Sequence, residues 1–220
     1  MKEEENSWNG PRSTWKESAP QLADHLNFVF PELHFPPEVA KRILTHGSHP
    51  SAIYGHNGAL SFMGRRVMES FLLLMLHSSS ALKKDHNLDE IVARTLNSYT
   101  LGEVVGSKWA LGRAMRWTPS ISASLLKAEA DQREMLRSVG LYKVQGEAVN
   151  AVVGGVFFQF GASVAHRLFH TRVLPLLIDH GLPLAFSEDA RVACKRLGGE
   201  DGKLLLLDPL TLEQVAETAS

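Results

Sequence analysis

Residues 56–75 read HNGALSFMGRRVMESFLLLM, and this stretch decides the fold. Its apolar residues recur at intervals of three and four, which places them on one side of an α-helix. They are Leu60, Met63, Val67, Phe71, Leu74 and Met75. The pattern predicts a long, well-buried helix.

A second apolar segment, residues 148–160, reads AVNAVVGGVFFQF. Apolar residues fill it almost without interruption, so periodicity alone does not separate a buried helix from a buried strand. Further along, Val164, Leu168, Leu174, Leu177 and Ile178 recur at helical spacing. They predict another amphipathic helix, which the Gly-Leu-Pro sequence at 181–183 ends.

Signals for the start of a helix occur at three more places. Prolines followed by an acid at 36–38 predict a helix that ends at Gly47. Asn87 with Glu90, and Thr100 with Glu103, have the spacing of capping boxes, in which the side chains satisfy unpaired amides of a first helical turn. We therefore expect helices to start near 88 and 101, in an all-α protein.

Composition excludes several classes of protein. The 220 residues carry 23 basic and 24 acidic side chains, so no global field attracts nucleic acid, and any RNA contact is local. One cysteine, Cys194, allows no internal disulfide and suits a reducing compartment. We expect a soluble protein, because no apolar run reaches the roughly 18 residues that a membrane span needs.

The chain divides into three parts by composition. Residues 1–27, which include Trp8 and Trp15, show no sustained period and predict an irregular arm. We expect one main domain at 28–180 and a C-terminal extension at 181–220. The acidic opening at 2–5 is unlike an organelle transit peptide, so we expect any organellar presequence to be absent from this sequence.

Two motifs resemble those of the ribonuclease III family. Residues 44–46 and 56–68 are similar to the family signature, roughly L-T-H-x-S followed by H-N-E-R-L-E-F-L-G-D-A-V-L. Residues 146–157, GEAVNAVVGGVF, resemble its second motif, A-D-x-x-E-A-x-x-G-A/G-x-F/Y. The resemblance covers about residues 37–178. It implies the ribonuclease III endonuclease-domain fold and makes 148–160 a helix.

The family holds its divalent metal ions with four acids, one pair on each of two helices. Here the matching positions are Ser61, Arg65, Glu147 and Asn150, and a further acid of the first motif is replaced by Gly58. Hard Mg²⁺ needs carboxylate ligands, and a guanidinium repels a cation. The resemblance therefore implies a protein without nuclease activity, and we expect no metal and no cofactor. An ion pair between Glu147 and Arg65 is one hypothesis for the remaining acid.

The family also places the first-motif helix at its dimer interface. This implies an interface at Phe62, Met63, Gly64 and Val67. A role inside the core is the alternative, because a glycine in a helix often marks a close approach of another helix. His166 and His170 have a spacing that can bind zinc, but no third ligand is in reach along the chain, and we favour surface histidines.

Basic residues concentrate between 108 and 143, where seven Lys or Arg face three acids. Such a surface can displace counterions from RNA, although a solvated helical face without a partner fits equally well. The candidate phosphate contacts are Lys108, Arg113, Arg116, Arg133 and Arg137. Nothing after 180 resembles the double-stranded RNA-binding domain of most family members.

Taken together, the resemblance implies a structural constituent of the mitochondrial large ribosomal subunit, similar to the shorter of the family's fungal proteins there. Its expected partners are mitochondrial rRNA, ribosomal proteins and a second ribonuclease III-like ribosomal protein as heterodimer, in the mitochondrial matrix. The alternatives are a compact endoribonuclease of the same fold and a pseudonuclease partner of an active relative outside the ribosome.

Overall fold

The computed structural model describes residues 19–119, 137 and 139–206. Within these ranges the structure is helical, and the only β pairing is an isolated parallel bridge between Thr45 and Arg116. The α-helices are α1 (Ala19–Val29), α2 (Pro37–Ile43), α3 (Gly58–Ser78), α4 (Leu88–Thr95), α5 (Ser98–Thr100), α6 (Leu111–Ala114), α7 (Leu141–Leu168), α8 (Leu174–Leu177) and α9 (Ser187–Arg196). Short 3₁₀ segments lie at Pro50–Tyr54 and Leu184–Phe186, and π-helical segments at Leu101–Gly106 and Phe169–Val173. The all-α prediction is confirmed.

Helix α3 is the long helix that the apolar stripe predicts. Met68, Leu72 and Leu76 are completely buried, so this side of the helix lies in the core. Helix α7 contains the ambiguous apolar segment, which is helical as the family motif implies. Its valines Val149, Val152, Val153 and Val156 are likewise completely buried, and they pack against the same core.

Two glycines bring α3 and α7 into backbone contact. A Cβ atom added to Gly64 would lie 1.9 Å from the carbonyl oxygen of Asn150, and one added to Gly154 would lie 2.0 Å from that of Leu60. Any larger residue at either position would push the helices apart. This crossing fixes the position of every side chain near it on the two helices.

The N-terminal half of α7 also packs closely against the segment that starts with α5. A Cβ atom on Gly102 would lie 1.7 Å from the carbonyl oxygen of Tyr142, and one on Gly146 would lie 1.9 Å from that of Ser98. The start of this segment differs from the prediction. Asn97, rather than Thr100, caps it by accepting a hydrogen bond from the backbone N–H of Tyr99 at 2.9 Å. The predicted start at Asn87 is confirmed, because its side chain accepts from the N–H of Glu90.

The predicted end of α2 at Gly47 is wrong. The helix ends at Ile43, because the following backbone pairs with a distant segment instead of continuing the helical bonds. The N–H of Arg116 donates to the carbonyl of Leu44 at 2.7 Å, and the N–H of His46 donates to the carbonyl of Arg116 at 2.9 Å. This pairing starts the loop that carries His46 towards α7.

The two expected extensions contribute to the core. Helix α1 begins at Ala19 inside the arm predicted to be irregular, and it buries Leu22 and Leu26. The described part of the C-terminal extension buries Phe186, Ala190 and Leu204. The boundaries drawn at 27 and 180 therefore do not separate the domain from loose segments. Trp8 and Trp15 lie outside the described residues.

One described segment, Leu141–Leu177, is long and apolar enough to cross a membrane by length and composition. Of its most apolar window, 56% is buried inside the fold, and Gly161 interrupts the helix with φ 86° and ψ 175°. A buried core helix passes the same test, so this segment is weak evidence for a membrane span.

Candidate functional site at the crossing of α3 and α7

The crossing of α3 and α7 gathers the four positions that the sequence singles out. Ser61 and Arg65 flank Gly64 on α3, and Glu147 and Asn150 lie one turn apart on α7, where the backbone of Asn150 contacts Gly64. Arg65 is exposed, Ser61 and Glu147 are partly buried, and Asn150 is buried. The Oδ1 atom of Asn150 has no hydrogen-bond partner among the described residues.

The carboxylate of Glu147 is held by His46. Their Nε2 and Oε2 atoms are 3.0 Å apart. Because the backbone N–H of Ser48 donates to Nδ1 of His46, that nitrogen is an acceptor and Nε2 carries the proton. The hydrogen bond from His46 lowers the pKa of Glu147; burial raises it, and the positive charge of Lys143 lowers it further. Glu147 is therefore ionised, and its carboxylate already accepts a hydrogen bond from His46.

The hypothesis of an ion pair between Arg65 and Glu147 is wrong, because Arg65 pairs with Glu69. Its Nε donates to Oε1 of Glu69 at 3.0 Å, one turn along the same helix, while Arg66 donates to the other oxygen at 2.7 Å. A partner four residues away on one helix face is within reach without any rearrangement. Arg65 thus points its charge along α3.

Ser48, His46 and Glu147 have the connectivity of a hydrolase triad, since Nδ1 of His46 lies 2.9 Å from the Ser48 hydroxyl. The hydroxyl of Ser48, however, also bonds to the backbone N–H and carbonyl of Thr118, at 2.9 and 3.2 Å. The same turn recurs at His49, whose Nδ1 lies 2.6 Å from the hydroxyl of Ser51. The hydroxyl of Ser48 therefore joins its own loop to the backbone at Thr118, and the contact between histidine and serine is a local turn.

The four positions contain a single carboxylate, that of Glu147. Mg²⁺ takes near-octahedral oxygen coordination, usually with carboxylates, and the one carboxylate at the crossing already accepts a hydrogen bond. The formal charges of Glu147 and Arg65 sum to zero. Among the described residues, no three His, Cys, Asp or Glu side chains come together elsewhere to hold a metal.

The residues of the expected interface differ in their exposure to solvent. Phe62 is 65% exposed, with the guanidinium of Arg66 5.4 Å from its ring centre, whereas Met63 and Val67 are partly buried. Gly64 is buried against α7 of the same chain, so the alternative of an internal role holds for it. An interface on this helix would centre on Phe62.

The candidate phosphate contacts do not form one row. Lys108 and Arg113 are exposed, and Arg116 is partly buried, with its pKa lowered by burial. Arg137 is exposed but forms an ion pair with Glu103 at 3.3 Å. Arg133 lies outside the described residues. Among the candidates that the structure describes, Lys108 and Arg113 are therefore the exposed cations that form no ion pair with another described residue.

The expectation of surface histidines is wrong for His170. Only 3% of it is exposed, and its ring centre lies 4.4 Å from that of the partly buried His166. Burial, with a smaller effect of His166, lowers the pKa of His170 to about 4. In the sequence His170 stands between the apolar residues Phe169 and Val173, both of which are completely buried.

The helical architecture and the crossing of α3 and α7 define a domain of the ribonuclease III nuclease type. The family model described as Ribonuclease-III-like matches residues 36–177, and the chain belongs to that family. Among solved structures, the nuclease domain of ribonuclease III from Campylobacter jejuni is similar, with a TM-score of 0.53 and 16% sequence identity. The match covers 71% of this chain and 93% of that chain, and it establishes the fold. A comparison with curated protein sequences found no match.

Proposed function

We propose that this protein is a non-catalytic member of the ribonuclease-III-like family, with a structural, RNA-associated role. The observation that carries the proposal is the state of the crossing, where the motif positions are Ser61, Arg65, Glu147 and Asn150 and the single carboxylate is bound to His46. Cleavage by the family's chemistry needs a metal-activated water and a metal-stabilised leaving oxygen. The donor atoms present supply neither.

The proposed setting is the large subunit of the mitochondrial ribosome, in the matrix. The support is the resemblance of the two motifs to the shorter family member of fungal mitochondrial ribosomes. The proposed partners are mitochondrial rRNA, adjoining ribosomal proteins and a longer ribonuclease III-like chain, which would pair with the face that carries Phe62. The Phe62 side chain is 65% exposed, as an unpaired apolar surface would be.

A cleavage assay tests the loss of activity. Purified protein is incubated with duplex RNA and Mg²⁺ or Mn²⁺, beside Glu147→Gln and the matched variant Glu90→Gln, at an exposed residue of α4 away from the crossing. We expect no metal-dependent products from any of the three proteins. Cutting by the wild type and by Glu90→Gln that disappears in Glu147→Gln would overturn the proposal, whereas a contaminating nuclease would cut in all three samples.

A sedimentation experiment tests the setting. Mitochondrial lysate from the source organism is separated on a gradient after the subunits are dissociated, and the protein is followed with an antibody. We expect it in the large-subunit fraction. Recovery near the top of the gradient, together with an active ribonuclease III relative, would replace the ribosomal proposal with that of a pseudonuclease partner.

A further inference from the structure

A cavity of about 300 Å³ lies between α3, the part of the chain after Gly161, and α9. It is separate from the crossing of α3 and α7 and plays no part in the proposed function. Its walls are largely apolar, with Phe71, Leu74 and Met75 on one side. Phe71 is fixed edge-on against the ring of His166, at 5.1 Å between ring centres. The volume lies at the lower end of the range for small-molecule sites.

Two histidines form the polar wall of the cavity. His170 is almost completely buried, and its Nδ1 atom has no hydrogen-bond partner among the described residues. An unsatisfied buried nitrogen destabilises a fold unless something else compensates for it. His170 also lies in the π-helical segment Phe169–Val173, and such segments occur frequently at functional sites.

The charge of the cavity is positive. Arg196 of α9 lines it, is exposed, and forms no ion pair with any described residue. The described lining residues include no Asp or Glu. Asp189, on the same helix, accepts a hydrogen bond from the hydroxyl of Ser79. Burial lowers the pKa of both histidines, so they are neutral near pH 7 and donate one N–H each. A dication would meet only two nitrogen ligands beside a guanidinium, which disfavours a metal.

We propose that this cavity binds a small amphipathic molecule with an apolar body and one carboxylate. The apolar body would cover Phe71, Leu74 and Met75, and the carboxylate would pair with the planar fork of Arg196. The imidazole N–H groups would donate to the second carboxylate oxygen. Binding would also cover Leu74, a large apolar side chain that is 67% exposed in the free protein.

Calorimetric titration with octanoate, and with octan-1-ol as a probe of equal chain length without charge, tests the proposal. We expect octanoate to bind more tightly than the alcohol. Arg196→Gln should weaken octanoate binding by about tenfold or more, since it removes a hydrogen-bonded ion pair, and should leave the alcohol unchanged. The matched control is Arg191→Gln, the same exchange on the same helix at an exposed residue outside this cavity, which should bind both probes as the wild type does.

A second variant tests the cavity itself. Ala193→Phe places a ring in the space and should abolish binding of both probes, while circular dichroism shows whether the helices are retained. Equal binding of acid and alcohol, or binding that survives Ala193→Phe in a folded protein, would overturn the proposal. Failure of octanoate to bind at millimolar concentration would also overturn the proposal. This holds as well if Ala193→Phe weakens association with a partner protein.

Discussion

Replacement of Gly154 by alanine would test the helix crossing that positions the candidate site. The new Cβ would lie 2.0 Å from the carbonyl oxygen of Leu60 and 2.9 Å from the backbone nitrogen of Gly64. Real Cβ atoms essentially never come closer than 3.0 Å to such atoms, so α3 and α7 must separate by about 1 Å. Both neighbours are backbone atoms, and no side-chain rotation relieves the clash.

The expected loss follows from the size of this contact, the most extensive between helices in the described chain. A gap of about 0.5–1 Å forfeits a quarter to a half of the dispersion energy of the atoms it separates. Overpacking typically costs about 1–3 kcal/mol and sometimes more, and alanine returns roughly 1 kcal/mol of helix propensity. With the overpacking cost at the upper end of that range, we place the net loss at about 2 kcal/mol. For a chain of this length it lowers Tm by roughly 4–8 °C.

Gly155→Ala is the matched control, because it makes the same exchange at the next residue of the same helix. Its Cβ would meet the end of the Ile43 side chain, 2.5 Å from Cδ1, which can rotate away. We expect the free energy of unfolding to change by less than about 1 kcal/mol. Urea unfolding followed by circular dichroism measures both variants. Equal midpoints for Gly154→Ala and Gly155→Ala would refute the close crossing.

Three further predictions concern the site and the surface. The pKa of Glu147 is lowered on folding from its ordinary value of 4.5, so its contribution to stability is present above that pH and is lost as the pH falls through the lowered value. His46→Gln should therefore destabilise the protein at pH 7 and have less effect near the acid end of urea titrations; an equal loss at both ends would contradict the pairing. Phe62→Asp should abolish pairing with a related chain by burying an unpaired charge, while Ile53→Asp, at another exposed apolar residue, should not. Ultracentrifugation and recovery of partners from cells measure the pairing. A wild-type monomer at micromolar concentration, with no partner recovered, would count against this prediction. RNA binding should be weak and salt-sensitive, because each phosphate contact contributes a slope of roughly −0.7 to −0.9 in log affinity against log salt. Neutralising four arginines together should lower incorporation into the large subunit without unfolding the domain; normal assembly of that variant, with assembly lost on trimming residues 8–20, would show that protein contacts hold it instead. The four are Arg113, Arg116, Arg133 and Arg137.

Helix α3 could be predicted because its information is local: the stripe from Leu60 to Met75 has a helical period. The apolar segment of α7 could be assigned to a helix only from its resemblance to a family motif. Gly64 signalled a close approach, but the sequence does not say which backbone approaches it. That partner, Asn150, is identified by the structure alone.

Side-chain pairing in the site could not be predicted, for a related reason. His46 and Glu147 are 101 residues apart, and their contact depends on a loop that leaves α2 early to pair with Arg116. Arg65 looked like a partner for Glu147 because both stand at motif positions, yet Glu69 is nearer, one helical turn away. Local spacing competes with tertiary proximity, and a single sequence shows only the former.

The break at Gly161 determines the shape of the whole domain. An unbroken helix of the 37 residues from 141 to 177 would be about 55 Å long, far more than the depth of one core. With φ 86° and ψ 175°, a conformation open essentially to glycine alone, the chain changes direction there. Both halves then reach the same helix, through Gly154 against Gly64 and His166 against Phe71. A single exposed glycine thus divides one long apolar helix into two segments that both pack against α3.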